Sequence, residues 1–147
     1  MVERALILGL AAVAVVGAIL AVRWWSRRGV AVLRTAPVDG LWIALDATPD
    51  GRPSLVVFST PSCTACRTAQ YPAVEAVEAS FGSALRVLKV DLSRQPAAAE
   101  AFKVLTAPST AVLTGDGRLG SFNHGFAPAD QLSAQLSALG ASPASRR

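Results

Sequence analysis

Cys63-Thr64-Ala65-Cys66 contains the only two cysteines of the chain. The run before it, Leu55-Val56-Val57-Phe58, reads as a buried strand, and the run after it reads as a helix. Two thiols three residues apart at a helix start can close and open a disulfide with little backbone movement. The first lies where free backbone N–H groups and the helix dipole favour negative charge. The thiolate is the nucleophile of disulfide exchange, so the spacing points to two-electron thiol chemistry. Cys63 is placed to attack and Cys66, one turn deeper, to resolve the mixed disulfide. An inert or purely structural pair is the alternative. No metal is expected, because two cysteines and one histidine do not complete a four-ligand zinc set, and the chemistry calls for no cofactor.

The elements that must hold this pair are read from periodicity and punctuation. Val30 to Leu33 is a short strand candidate. Pro37 to Asp46 reads as a helix with Val38, Leu41, Trp42 and Leu45 on one face, which makes Trp42 a core residue. Thr48-Pro49-Asp50-Gly51 is a turn, and Leu55 to Ser59 is a buried strand. From Cys63 to Ser80 a helix places Ala69, Ala73, Val77 and Phe81 four apart, with Gly82 ending it and Pro72 expected to kink it. Leu85 to Leu92 is the next strand. Pro96 opens a helix to about Val104. Thr110 to Leu113 and Leu119 to Phe122 form a hairpin about Gly115-Asp116-Gly117. A last helix starts near Pro128, carries Leu132, Leu136 and Leu139, and stops at Gly140. The predicted order is βαβαβαββα.

Ahead of these elements lies a run of 18 residues, Ala5 to Val22, with no charge and only Gly9 and Gly17 outside the alanine and aliphatic set. As a helix it would span about 27 Å, close to a bilayer's hydrocarbon core. Trp24 and Trp25 come next, at the place of an interfacial belt. The flank includes Arg23, Arg27 and Arg28 rather than a small-residue cleavage site, which argues against a removed signal peptide. The expected organisation is a transmembrane anchor over 1–29, a folded domain over 30–140 and a flexible tail over 141–147.

The formal net charge of +4 is unevenly spread. Five arginines lie in the first 34 residues and two end the chain. Without those ends, seven basic residues face nine acidic ones, so the domain offers no basic face and no nucleic-acid partner is expected. The arginines after the apolar run outnumber those before it. They predict a single-pass protein of a bacterial cell membrane with its domain on the cytoplasmic side. A lone close cysteine pair suits a reducing compartment. Domains also translocate despite flanking charge, so the extracytoplasmic side is the alternative.

The element order, with the cysteine pair at the second strand-to-helix junction, resembles the thioredoxin family over Val30 to Leu139. Pro108 falls where that family has a cis-proline beside the disulfide. Lys89 matches the lysine of its central strand, and Asp91-Leu92-Ser93-Arg94-Gln95-Pro96 matches the stretch after that strand. Gly125 matches the glycine of its substrate groove. The resemblance implies an α/β thioredoxin fold with a central mixed sheet flanked by helices. It also implies a redox-active disulfide between Cys63 and Cys66. Substrate would bind along Ala107, Pro108 and Gly125, and Lys89 and His124 are candidates to modulate the thiols. His124 is the sole histidine, and an exposed loop histidine with no role is the alternative. Arg67 is either a steering charge or a solubilising one.

The departures from the family are specific. Ser62 stands where the family has tryptophan, Thr64 and Ala65 where it has glycine and proline, and Val57 where it has a buried aspartate. Pro72 lies one residue further along the helix than the family's kink proline. Without the acid, no base for Cys66 is obvious, and Lys89, Asp91 or water are the candidates.

The expected function is therefore membrane-tethered thiol–disulfide oxidoreduction in the reducing direction. Its partners are disulfide-containing protein substrates, a thiol electron donor such as a reductase, and the membrane through the N-terminal helix. The protein is expected to act as a monomer. The alternatives are an outward-facing relative in disulfide exchange or cytochrome c maturation, and a non-catalytic thioredoxin-like binding module.

Overall fold

Strand β1, Ser54–Ser59, has no exposed residue. Such a strand must be covered on both faces, and its apolar run lacks the polar alternation of a half-exposed one. The computed structural model, which describes residues 13–21 and 38–143, shows how this is done. The elements of the domain are helix α1 (Val38–Ala44), β1, a helical segment ending in α2 (Tyr71–Phe81), β2 (Arg86–Asp91), α3 (Pro96–Ala101), β3 (Ser109–Leu113), β4 (Leu119–His124) and α4 (Ala129–Ala138).

The four strands form one mixed sheet in the order β2-β1-β3-β4. β1 runs parallel to β2, with Val57 beside Lys89 and Ser59 beside Asp91. It runs antiparallel to β3, with Phe58 beside Ser109. β3 and β4 form the expected hairpin, with Ser109 beside His124 and an irregularity between Val112 and Leu113.

One face of the sheet presents Leu55, Val57 and Val112 to Val74, Val77 and Phe81 of α2 and to Leu132 and Leu136 of α4. The other presents Phe58, whose ring lies 5.0 Å from Phe102, just past α3, and 6.0 Å from Phe122 of β4. α1 packs against α3. Trp42 of α1 is buried, and its indole N–H donates to the Gly117 carbonyl at 2.9 Å. The sequence placed Trp42 in the core, and that is where it lies.

The helix that carries the cysteine pair differs from expectation in one respect. It starts at Thr64, but Cys66–Gln70 is wound as a π turn in which the Tyr71 N–H bonds back to the Cys66 carbonyl. Pro72 has no N–H to give to the turn before it, and a wider turn ahead of it accommodates the missing bond. The buried stripe nevertheless keeps ordinary helical steps of three and four. Cys66, Gln70, Val74, Val77 and Phe81 face inward, whereas Ala69 and Ala73 are not buried. The observed helix ends agree elsewhere to within a few residues, and Gly140, at φ +84°, stops the chain just past α4.

Residues 13–21 are helical. Val13, Val15, Val16, Ile19 and Leu20 are exposed there. Among the described residues no helix is long and apolar enough to cross a membrane. Much of the apolar run Ala5 to Val22 lies outside the described residues. So do Trp24, Trp25, the arginines after them, the strand expected at Val30 to Leu33, and the tail beyond 143.

Gly117 shows how the hairpin turn is tied to α1. Its φ is +88°, and a Cβ there would lie 2.5 Å from the Trp42 Nε1 and 2.9 Å from Val38 Cγ1. Gly51 has a similar φ of +84° but open space around it. Gly51→Ala is therefore expected to cost about 1 kcal/mol from backbone strain alone. Gly117→Ala should cost roughly 3 kcal/mol, because overlap with the indole adds to that strain. Chemical denaturation of the two variants checks the difference.

Candidate active site

β1 exits the core at Ser59, and the chain turns through Thr60, Pro61 and Ser62 into the helix start. The turn is closed by the Cys63 N–H bonding the Thr60 carbonyl at 3.0 Å. Arg67 reaches back from the helix and donates to the Pro61 carbonyl at 2.6 Å, so its guanidinium braces this loop. Cys63 and Cys66 are joined as a disulfide, with Cα atoms 5.3 Å apart.

The two sulfurs are not equivalent. Cys63 is partly exposed, while Cys66 is 1% exposed. The Cys63 sulfur also accepts the Cys66 backbone N–H at 3.1 Å. A donor at that distance favours negative charge on this sulfur when the bridge is open, in addition to the unpaired N–H groups of the helix start.

The registers bring the other expected residues to the same end of the sheet. Phe58, Ser109 and His124 lie side by side across β1, β3 and β4. The segments just beyond them, Thr60 to Cys63, Ala107-Pro108 and Gly125, therefore emerge together. The Ala107–Pro108 peptide bond is cis. Ala107 is half-buried and Pro108 buried. Ser109 fixes the approach to that bond by donating to the Thr106 carbonyl at 2.7 Å. Gly125 has φ +79°, with space for a side chain but a backbone shape that suits glycine.

His124 is exposed on one side and covered on the other by Phe122, with ring centroids 4.7 Å apart. This burial holds its pKa below the ordinary value of 6.5.

Lys89 is held elsewhere. It lies on β2, level with Val57, and its ammonium sits 5.2 Å from the centre of the Tyr71 ring. With Ser59, Thr60, Pro61, Tyr71 and Asp91 it lines an open cleft of about 190 Å³. Inside the cleft the Tyr71 hydroxyl donates to Ser59 Oγ at 2.8 Å. Asp91, the other candidate base, is committed to a turn. One of its oxygens accepts both the Ser93 hydroxyl at 2.6 Å and the Ser93 N–H at 2.9 Å. These bonds, with help from Arg94, hold its pKa below the usual carboxylate value. Val57 is fully buried among apolar side chains, so no carboxylate stands at that position.

One residue of this region was not foreseen. Gln70 is fully buried. Its carboxamide accepts the Ala127 N–H at 2.9 Å and donates to the Ala127 carbonyl at 3.0 Å. The available signal was a glutamine four positions beyond Cys66, on the inward side of the helix.

A family model described as Thioredoxin matches residues 46–138. Among solved structures, thioredoxin-2, a component of malaria parasite protein secretion machinery, is 22% identical; the match covers 59% of this chain and 82% of that one, with a TM-score of 0.55. Chloroplastic thioredoxin z is 19% identical over 71% of this chain and 90% of its own, with a TM-score of 0.58. A variant thioredoxin from Halobacterium salinarum is 24% identical over 64% and 80%, with a TM-score of 0.56. These likenesses are of fold. No curated protein sequence matches the chain.

Two outcomes are expected. In the reduced protein at neutral pH, Cys63 should alkylate at least about tenfold faster than Cys66, because it is the reachable sulfur and has the stabilised anion. Mass spectrometry after brief iodoacetamide treatment reads this directly. A His124 pKa below its unfolded value means that protonating the ring opposes the fold. The stability tied to neutral His124 is thus complete above the unfolded pKa and is lost as pH falls through the folded one. An NMR titration should place the midpoint below 6.5, and Phe122→Ala should move it upward.

Proposed function

Because the chain belongs to the thioredoxin family, we propose that it is a thiol–disulfide oxidoreductase, tethered to a membrane by its N-terminal apolar segment, that reduces protein disulfides. The observation that carries this reading is the bonded Cys63–Cys66 pair at a helix start, one sulfur reachable and the other buried.

In the reduced state the Cys63 thiolate attacks one sulfur of a substrate disulfide. A mixed disulfide forms and the other substrate sulfur leaves as a thiolate, taking a proton from solvent. Cys66 then loses its proton and attacks the Cys63 sulfur. The internal bridge closes and the second substrate thiolate departs. Two electrons pass from the dithiol to the substrate, and a thiol donor such as a reductase returns them.

The geometry bears on each step. The Cys66 N–H bond to the Cys63 sulfur favours the attacking anion. Burial of Cys66 keeps outside disulfides from the resolving sulfur. The backbone at Ala107, next to the cis bond, is the expected pairing edge for an extended substrate segment. For Cys66 deprotonation, Val57 offers no base and Asp91 is a weak one, since it is held ionised by Ser93. The remaining route is through solvent and the Lys89 cleft, and resolution is the step that this protein performs slowly.

The tether rests on the apolar run Ala5 to Val22 and its arginine flank, which favour a domain on the cytoplasmic side. Its purpose would be to hold the dithiol near membrane-associated substrates or donors.

The full chain should reduce insulin disulfides in the presence of a thiol donor, and Cys63→Ser should abolish turnover. Turnover unchanged in Cys63→Ser would exclude this reading. A reduction potential below that of the glutathione pool, measured against a glutathione series, supports the reducing direction, and one above it reverses the direction.

A further inference from the structure

Gln70 ends the π turn that begins at Cys66. It is a fully buried polar side chain in a helix otherwise packed by Val74, Val77 and Phe81. Both ends of its carboxamide are spent on one residue, Ala127, 57 positions away. The pairing copies what a neighbouring strand would supply, with one N–H donated and one accepted. Ala127 is itself fully buried, so its N–H and carbonyl have no water to turn to.

The segment before Ala127 is His124-Gly125-Phe126, which emerges at the same end of the sheet as the cysteine pair and Pro108. Phe126 is 51% exposed. Leu105, three residues ahead of Pro108, is 86% exposed. Among the described residues of the domain, the large apolar side chains left this open are Ile43, Leu105 and Phe126. Two of the three thus border the segments that flank the disulfide. A single exposed apolar residue needs no explanation, but Leu105 and Phe126 both adjoin the segments that emerge with the disulfide at one end of the sheet.

We propose that Gln70 is a positioning residue that clips the 124–127 segment to the turn carrying Cys66, so that Phe126 is held out as an apolar contact for the substrate chain beside its disulfide. The proposal rests on the disulfide-exchange reading and specifies its substrate: an extended segment with a large apolar side chain next to the cysteine. An apolar replacement of Gln70 leaves the Ala127 N–H and carbonyl buried and unpaired, which drives the segment outward toward water. Gly125, at φ +79°, gives the chain the freedom to swing there. Neither Gln70 nor Phe126 takes part in the exchange of electrons, so the effect falls on peptide binding and not on the thiols.

The test compares two substrates on the full chain in detergent: a disulfide-bridged peptide with leucine beside its cysteines, and a small aromatic disulfide that cannot span the groove. Gln70→Met should raise KM for the peptide roughly tenfold, because the released segment no longer holds Phe126 in place, with kcat within about twofold. The small disulfide and the reduction potential should be unaffected. Phe126→Ala, an exposed change that spares the fold, should raise the peptide KM about fivefold. It should also remove any preference over a peptide with serine beside its cysteines.

Equal slowing of both disulfides in Gln70→Met overturns the proposal, and so does an unmoved peptide KM in Phe126→Ala. If Gln70→Met does not fold, the Phe126→Ala arm decides together with hydrogen exchange in the unaltered protein. An Ala127 amide that exchanges as fast as an open loop overturns the clip. Absence of turnover on both disulfides overturns the redox reading itself, whereas turnover with no peptide discrimination overturns the clip alone.

Discussion

The chemistry of this protein depends on the complete burial of β1. A strand covered on both faces and bonded on both edges cannot shift without breaking two ladders and two layers of packing at once. Its end is therefore a fixed point. The three residues after it lead to Cys63, and its neighbour β3 begins just past the cis Ala107–Pro108 bond. The distance between the reachable sulfur and the expected pairing edge is thus set by core packing and not by loop preference. Phe58 contributes from one face through Phe102 and Phe122. Val57 contributes from the other through the α2 and α4 cluster.

That rigidity has a local cost at the helix. A helix entering from a fixed point, with Pro72 nine residues beyond Cys63, must lose one backbone bond near its second turn. The π turn at Cys66–Gln70 absorbs this and adds a residue to the turn. Gln70, four residues beyond Cys66, lies on the same inward face of the helix. A polar side chain buried there is tolerable only because Ala127 satisfies both its ends.

The electrostatics around the pair are one-sided. The attacking sulfur has a backbone donor and a helix start, while the resolving sulfur lies in a core that offers no carboxylate near Val57. The ionisable groups nearest to that part of the sheet are already engaged: Asp91 with Ser93, and Lys89 over the Tyr71 ring. His124 packs against Phe122, and burial lowers its pKa. On the proposed reading, a site built this way favours capture of a disulfide over its release, and the proposed apolar contact at Phe126 would add to the capture.

The amino-acid order alone determined the cysteine pair at a helix start, the sequence of elements after Pro37, the hairpin at Gly115-Asp116-Gly117, and Trp42 as a core residue. These are local quantities: a spacing of three, a period of two or of 3.6, a glycine at a turn. It misjudged the inward stripe of the cysteine helix, because Ala69 and Ala73 fit the same helical spacing to Val77 and Phe81 as Gln70 and Val74 do, and a glutamine does not read as a buried position. Only the tertiary structure decided that His124 lies level with Ser109 and Phe58 at the end of the sheet, and that Gln70 closes on Ala127. Those outcomes come from pairings between segments far apart in the chain, such as Ser109 with His124 and Gln70 with Ala127. No local pattern encodes such partners, since burial selects them only once both segments are in place.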